Sequence, residues 1–285
     1  MAPLAPRFDV TAPAVPLADV GHVHLIAIGG AGMSAVARLL LARGVTVSGS
    51  DAADSPTLEV LRSLGARVHV GHDADHLTGV DTVVVSSAIR DDNLELAAAR
   101  TMGLRVLHRS QALASLMAGS RRVAVAGANG KTTTTSMLVV ALEAAGADPC
   151  FASGGEIAQL GTNAAIGSGD AFVVEADESD GSFLAYRPDV AVVTNVQPDH
   201  LDYYGTAERV EQAYTEFVST VPADGLVVAC WDDPGSRRLA RAVRDRGRDV
   251  VTYGYRAGAD LQVLSTEPDG LGARSPFVVA GVERI

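Results

Sequence analysis

The segment that most constrains this chain is a glycine-rich turn at residues 127–133, which follows an apolar run and precedes a helix-like stretch. The turn consists of Gly127, Ala128, Asn129, Gly130, Lys131, Thr132 and Thr133. A strand that passes through such a turn into a helix aims backbone N–H groups and the positive end of the helix dipole at an anion. The lysine adds a charge, and the hydroxyl that follows it can bind Mg²⁺. The segment therefore predicts a site for a nucleoside triphosphate in an α/β domain.

The spacing of this turn is shorter than that of the common phosphate-binding loop, which would place a glycine at position 125, where this chain has Val. A glycine turn with an unrelated surface lysine is the alternative interpretation. The context favours the phosphate loop, because residues 123–126 are apolar and residues 132–145 carry apolar side chains at helical spacing.

Composition bounds the possible partners. The 285 residues are enough for two domains, and a hydrophobic fraction of 47% with 20% charged residues is typical of a globular α/β protein. The net charge of −11 disfavours nucleic acid and anionic membranes as partners. No apolar run approaches the roughly 20 residues that span a bilayer. Cys150 and Cys230 lack disulfide-framework or metal spacing, so we expect a cytoplasmic protein.

Strands alternate with helices along the chain, which predicts parallel sheets with right-handed crossovers. We expect a Rossmann-like parallel-sheet domain over residues 22–118 and a P-loop-type α/β domain over 119–285, after a proline-rich flexible tail at 1–21. Strands are predicted at 24–28, 45–48, 68–70, 82–86, 104–107, 123–126, 171–175, 190–194, 226–230 and 249–253. Helices are predicted up to residue 42 and at 56–64, 94–101, 110–117, 132–145, 207–219 and 235–246, with short strands and turns from residue 260 onward.

A second glycine loop lies near the start of the first domain. Residues 30–35 fit the pattern G-x-G-x-x-A between a predicted strand and helix, and Asp51 follows Gly30 by 21 residues. This pattern indicates a diphosphate linked to a sugar, which NAD, FAD and UDP-sugars all satisfy. A tight turn without a ligand is the alternative, and the position of the acidic residue favours binding.

Carboxylates and a histidine follow two apolar runs in the second domain. Glu175 comes first after the run at 171–174, at the strand end where α/β sheets bind ligands, and we interpret it as a Mg²⁺ ligand. Asp177, Glu178 and Asp180 are each better explained as a solvated acidic loop. His200 follows the next apolar run, although its spacing alone does not select it. The other histidines, at positions 22, 24, 69, 72, 76 and 108, are interpreted as surface or packing residues.

As an ordered set these motifs resemble the Mur ligase family, which builds the peptide stem of bacterial peptidoglycan. The residues that carry the resemblance are 28–34, 49–51, 86–89, 127–135, 154–156, 161–164, 175–183 and 194–202. The resemblance runs from about residue 22 to the end of the sequence, and its motifs are specific in combination although each is modest alone.

The resemblance implies specific roles. The first domain would bind the UDP of a sugar nucleotide, with Gly30, Ala31, Gly32, Met33 and Ser34 around the diphosphate and Asp51 and Ser87 near the nucleoside. In the central domain, the 127–133 loop would bind ATP, Lys131 its β- and γ-phosphates, Thr132 and Glu175 one Mg²⁺, and His200 a second metal, while Asn195 would order the substrate end.

The implied activity is ATP-dependent amide formation, in which L-alanine is joined to the carboxylate of UDP-N-acetylmuramate through an acyl phosphate. Mg²⁺ and Lys131 would neutralise charge, since the carboxylate and the triphosphate are both anions. Three alternatives stay open: a recycling ligase that attaches a ready-made peptide to the same sugar nucleotide, an NAD-binding Rossmann protein, and a nucleotide-binding protein without catalysis.

Two features depart from the family pattern. The family usually has Gly-Thr-His-Gly-Lys-Thr, whereas Asn129 replaces the histidine here, so a role of that histidine is not carried over. The family also has a third, C-terminal domain that covers the adenine and binds the amino acid, and this sequence ends at Ile285 before the expected His-Asn-x-x-Asn segment. We therefore expect the third domain to be absent and the chain as given to bind its sugar nucleotide but turn over poorly.

Overall fold

The computed structural model describes residues 8–10, 12–269 and 272–279, which group into two units. The first unit contains the described residues up to Ser120 together with Ser136–Val173. The second contains Arg121–Thr135 together with the described residues from Val174 onward. Among these residues, every helix is too short or too polar to cross a bilayer.

The first unit contains a five-stranded parallel sheet with the strand order β3-β2-β1-β4-β5. Its strands are β1 (Val23–Ile26), β2 (Val47–Asp51), β3 (Arg67–Val70), β4 (Thr82–Val85) and β5 (Arg105–His108). The helices are α1 (Ala31–Ala42), α2 (Pro56–Ser63), α3 (Leu94–Thr101) and α4 (Arg109–Leu116), with 3₁₀ turns at Leu17–Asp19 and Ala74–Leu77. This order confirms the predicted Rossmann-like sheet, whose ligand crevice lies where strand order reverses, between β1 and β4.

Local sequence explains these elements. The central strands β1 and β4 are buried along their whole length, as expected for parallel strands that are covered on both faces. Helix α2 begins after Ser55, whose hydroxyl accepts a hydrogen bond from Leu58 N–H, with a proline at the first helical position. Helix α1 begins at Ala31, so most of the glycine loop predicted to extend to Ser34 is the first turn of a helix.

The remaining elements follow in the chain. The strands are β6 (Arg121–Ala126), β7 (Cys150–Ile157), β8 (Thr162–Ala165), β9 (Ala171–Glu175), β10 (Val190–Val193), β11 (Leu226–Cys230), β12 (Val250–Gly254), β13 (Leu261–Val263), β14 (Glu267–Asp269), β15 (Gly272–Arg274) and β16 (Phe277–Val279). The helices are α5 (Lys131–Ala144), α6 (Leu201–Tyr204), α7 (Ala207–Ser219) and α8 (Pro234–Asp245), with a 3₁₀ turn at Ser182–Tyr186.

In the second unit, the strands are ordered β16-β13-β12-β11-β10-β6, and all pair in parallel except β16 with β13. The Ala176 N–H donates to the Val125 carbonyl at 2.8 Å, which places the end of β9 beside β6. The phosphate-loop turn and the acidic run therefore leave neighbouring strands at the same sheet edge, as the predicted α/β architecture requires.

An antiparallel hairpin, β7–β8, belongs to the first unit and lies against α1. The sequence analysis predicts neither of its strands. Its position is fixed in part by Asn163, whose side-chain amide donates to the Ala31 carbonyl at 2.9 Å.

The predicted terminal segments fall partly outside the described residues, which omit 1–7, 11, 270–271 and 280–285. Where the N-terminal segment is described, the Phe8 ring packs 5.1 Å from the His108 ring, and Gln111 donates to the Asp9 carbonyl at 2.9 Å. From residue 260 onward the described residues form the short strands β13 to β16.

Candidate functional site

The phosphate loop requires both of its glycines. Gly127 has φ +146°, and a Cβ there would lie 1.9 Å from Thr194 Oγ1, so a side chain at this position would clash. Gly130 has φ +83°, a left-handed conformation that favours glycine, and α5 begins at the next residue. The loop therefore directs the first turn of α5, including Thr132 and Thr133, toward the carboxyl edge of the sheet, where anions bind.

Lys131 is held in place by two acceptors. Its Nζ donates to the Gly127 carbonyl at 2.8 Å and lies 3.0 Å from each carboxylate oxygen of Glu178. The lysine side chain is 15% exposed, so it is largely shielded from water. Lys131 therefore lies at the loop, and its role in phosphate binding stays a prediction.

Glu178 is a buried residue, and its interpretation as part of a solvated acidic loop is wrong. Its side chain is 2% exposed, and it lies 3.9 Å from the Nε2 of His200 as well as beside Lys131. Burial raises the pKa of Glu178, and the charge and hydrogen bond of Lys131 oppose this shift. The acidic run in the sequence conceals which of its carboxylates turns inward.

Thr132 and Glu175, which are predicted to share a Mg²⁺ site, lie next to each other. The Thr132 hydroxyl donates to Glu175 Oε1 at 3.0 Å, so two oxygen ligands lie side by side at the start of α5. Hydroxyl and carboxylate oxygens suit Mg²⁺, which commonly takes one or two protein ligands and completes its shell with waters and phosphate oxygens. Within the described ranges, no three His, Cys, Asp or Glu side chains form a metal-binding group.

Asn195 contacts the phosphate loop itself. It accepts a hydrogen bond from the Asn129 N–H at 3.0 Å and donates to the Asn129 carbonyl at 2.8 Å, while Thr194 Oγ1 donates to the same carbonyl at 2.7 Å. The Asn129 side chain donates to Gln197 at 3.4 Å. The 194–197 segment therefore holds the loop at Asn129. The Asn129 N–H is already hydrogen-bonded to Asn195, and Ala128 is the residue that precedes Asn129 in the loop.

The first glycine loop can offer mainly backbone groups to a ligand. Met33 and Ser34 are each 3% exposed, and Ser34 Oγ donates to the Ala31 carbonyl at 3.0 Å, so their side chains point away from solvent. Asp51 Oδ2 accepts from the Gly29 N–H at 2.9 Å, which ties the end of β2 to the turn before Gly30. Asp51 therefore shapes the loop that it was predicted to accompany.

Two further residues approach this loop. Arg109 lies over Gly32, because a Cβ at Gly32 would stand 2.5 Å from its Nη1, and Asn163 reaches Ala31 as described above. Ser87 is predicted to lie near the nucleoside, and its Oγ lies 3.1 Å from His108 Nε2. His108 directly precedes Arg109. Sequence reasoning includes Asn163 in a motif without a role, and it has no signal for Arg109, which begins α4 directly after β5.

Known protein families match both parts of the chain. Residues 22–121 match the model of the Mur ligase family catalytic domain, and residues 125–275 match the model of the Mur ligase middle domain. The two matches include the glycine loop with Arg109 and the phosphate loop with Lys131.

Similar curated proteins are named UDP-N-acetylmuramate–L-alanine ligase. That of Renibacterium salmoninarum is 59% identical over 251 residues, which cover 88% of this chain and 54% of the relative. That of a Nocardioides species is 59% identical over 280 residues, which cover 97% of this chain and 63% of the relative. The chain therefore spans a little more than half the length of the curated relatives that it matches.

Solved structures of two ligases with different activities resemble this fold equally well. The UDP-N-acetylmuramate:L-alanyl-γ-D-glutamyl-meso-diaminopimelate ligase of Neisseria meningitidis gives a TM-score of 0.80 at 29% identity, covering 92% of this chain and 85% of that one. The UDP-N-acetylmuramate–alanine ligase of Thermotoga maritima gives 0.79 at 29% identity, covering 93% and 59%.

Proposed function

The chain belongs to the Mur ligase family, and on this premise we propose that it supplies the sugar-nucleotide and ATP sites of a ligase that joins L-alanine to UDP-N-acetylmuramate. The observation that carries the proposal is the convergence of Lys131, Thr132 and Glu175 at the phosphate loop. The two 59% identical relatives, both named for L-alanine, support this choice of amino acid.

At the ATP site, Lys131 would hold the β- and γ-phosphates, and the N–H groups of the loop and of the first α5 turn would cradle them. Thr132 and Glu175 would hold Mg²⁺, which supplies charge neutralisation for phosphoryl transfer when it is bound. By family analogy His200 would hold a second metal. Asn195 would keep the loop in its binding conformation through Asn129.

The chemical problem is to bring a carboxylate up to a triphosphate. The muramate carboxylate would attack the γ-phosphorus, the bond from that phosphorus to the β,γ-bridging oxygen would break, and ADP would leave as the acyl phosphate forms. The amine of L-alanine would then attack the acyl carbon, lose a proton and displace inorganic phosphate, which leaves the amide. Lys131 offsets the repulsion between the anions, and the fixed loop holds the phosphates for in-line attack.

At the sugar-nucleotide site, the backbone of residues 30–34 would face the diphosphate, with Arg109 as its cation. Asp51 and Ser87 would lie near the nucleoside. Because Cys150 and Cys230 are free thiols, as expected in a reducing compartment, we propose a cytoplasmic location.

The first test is ATP binding by the 285-residue chain, measured by calorimetry with Mg²⁺ and a non-hydrolysable ATP analogue. We expect Lys131→Ala to abolish this binding, because it removes the cation that faces the phosphates. Titration with UDP-N-acetylmuramate is the control, since the first unit is unchanged. Unaltered analogue affinity in Lys131→Ala would show that the loop assignment is wrong.

A second candidate is the peptide-recycling ligase, because the Neisseria enzyme resembles this fold as closely as the Thermotoga alanine ligase does, with TM-scores of 0.80 and 0.79. In an active preparation of the protein, phosphate release with L-alanine and with the tripeptide as acceptor separates the two activities. A parallel titration of the chain with NADH and with UDP-N-acetylmuramate tests the NAD-binding alternative.

A further inference from the structure

Glu178 is a buried anion that contacts residues of the proposed ATP site without having a role in the proposed function. Its carboxylate lies 3.0 Å from Lys131 Nζ through both oxygens, and His200 Nε2 stands 3.9 Å from Oε1. The Glu178 side chain is only 2% exposed, so these contacts are made away from solvent. The carboxylate is therefore a buried part of the site.

The backbone that carries Glu178 is itself held in place. The Glu178 carbonyl accepts hydrogen bonds from the Tyr204 hydroxyl and from the Gly181 N–H, the latter at 3.0 Å. Tyr204 is 8% exposed and belongs to α6, so the segment is tied to a helix after the next strand. A carboxylate on a fixed backbone can hold a flexible lysine side chain in one position.

The lysine needs a partner that fixes its position, because its side chain has four rotatable bonds and three N–H donors. The Gly127 carbonyl at 2.8 Å takes one donor, and the Glu178 carboxylate at 3.0 Å takes another. With two donors bound, the direction of the third is set by tetrahedral geometry. It remains for a ligand oxygen at the loop.

We propose that Glu178 is a positioning residue for Lys131, which it holds at the phosphate loop so that the remaining ammonium N–H is directed at a bound nucleoside triphosphate. This inference rests on the proposed ATP site. It assigns to the buried carboxylate a share of triphosphate affinity that it exerts through the lysine and not by contact with the nucleotide.

The test uses the 285-residue chain and calorimetric titration with Mg²⁺ and either the ATP analogue AMP-PNP or ADP. Glu178→Gln keeps the size of the side chain but removes its charge, and we expect AMP-PNP to bind about tenfold more weakly, as for loss of one charged hydrogen bond. ADP should lose less affinity, because it lacks the γ-phosphate. Asp202→Asn, at an exposed position of α6, controls for the loss of one negative charge.

Glu178→Asp provides a second variant, since it keeps the charge but withdraws it from the lysine by one methylene, and its AMP-PNP affinity should fall between those of wild type and Glu178→Gln. AMP-PNP binding by Glu178→Gln that equals or exceeds that of wild type would overturn the inference. An equal loss for AMP-PNP and ADP with a lower unfolding temperature would indicate a structural role and overturn it too.

The outcome for the proposed function is read separately from the unmodified chain. If the wild type binds AMP-PNP and Lys131→Ala does not, the ATP site stands whatever Glu178→Gln shows. If the wild type fails to bind AMP-PNP, the proposed function fails, and the inference fails with it.

Discussion

Single residues of the phosphate loop are constrained by close backbone approaches. Gly127 combines an unusual φ of +146° with the near contact to Thr194 Oγ1, and that hydroxyl also holds the Asn129 carbonyl. A methyl group at position 127 would therefore displace the residue that fixes the loop. The site depends on the absence of a side chain as much as on the presence of Lys131.

We expect Gly127→Ala to destabilise the second unit by about 1–3 kcal/mol, as for a strained backbone with a steric clash, and to weaken binding of the ATP analogue at least tenfold. Calorimetry and urea unfolding measure the two effects. Gly146→Ala is the matched control, because Gly146 also has a positive φ, +74°, but a Cβ there meets nothing within 4 Å. Equal analogue binding by both variants would contradict the steric argument.

The residues of the site differ in how far a sequence can reveal them. Lys131, Thr132 and Glu175 are predictable because each has a fixed offset from a glycine turn or the end of an apolar run. Glu178 is not, because its neighbours Asp177 and Asp180 also carry carboxylates, and only the structure shows that the Glu178 side chain is the buried one. Several carboxylates in one run leave burial undetermined.

Secondary-structure elements also differ in how far the sequence reveals them. The α/β units are predictable because apolar runs such as those of β1, β4 and β6 are followed by turn residues and helical periodicity. The hairpin β7–β8 is missed because β7 contains two adjacent glycines, Gly154 and Gly155, and β8 is only four residues long. Its strands are stabilised by pairing and by packing on α1, which local sequence does not encode.

Helix α8 is coupled to the phosphate loop through its N-cap. Asp233 Oδ1 accepts from the Ser236 N–H at 2.7 Å, which caps the helix, and from the Val196 N–H at 3.0 Å. Val196 lies between Asn195 and Gln197, which contact Asn129. One carboxylate therefore orders both a helix start and the segment that supports the loop.

We expect Asp233→Ala to lower the free energy of unfolding by about 2 kcal/mol, roughly 1 for the cap and 1 for the second hydrogen bond, and also to weaken analogue binding. Thr206→Ala is the control, because the Thr206 hydroxyl caps α7 by accepting from the Arg209 N–H at 3.4 Å and Thr206 lies outside the 195–197 segment. Urea unfolding and calorimetry compare the variants. Unchanged analogue affinity in Asp233→Ala would show that the loop does not depend on this cap.

At the scale of the whole molecule, the net charge has the same sign as the charge of both proposed ligands. The chain carries 34 acidic and 23 basic residues, a net charge of −11, yet both proposed ligands are anions. In the proposed function, each unit would meet this difficulty with a cation and backbone N–H groups at one loop, Arg109 in the first unit and Lys131 in the second. Binding through short-range contacts of this kind does not require a favourable overall field.

One acidic residue also makes the stability of the first unit depend on pH, because its carboxylate is buried among histidines. Glu95 is fully buried and is contacted by Ser50 at 2.5 Å, His76 at 2.8 Å, His72 at 2.9 Å and His24 at 3.5 Å. Burial raises the pKa of Glu95, but hydrogen bonds from His24, Ser50 and His76 outweigh it and lower the pKa from 4.5 to about 2. The sequence analysis interprets these histidines as surface or packing residues, whereas the structure shows them as polar partners of the Glu95 carboxylate.

A carboxylate whose pKa is lower in the folded state contributes stability that is complete above its unfolded pKa and is lost as the pH falls. Glu95 should therefore contribute about 3 kcal/mol above pH 4.5, and this contribution should disappear between pH 4.5 and pH 2. Urea unfolding of wild type and Glu95→Gln from pH 7 to pH 2.5 measures it as a difference that narrows only in acid. Glu59→Gln, at an exposed position of α2, controls for the removed charge. A difference between wild type and Glu95→Gln that stays constant down to pH 2.5 would mean that the carboxylate is no more acidic in the folded protein than in the unfolded chain.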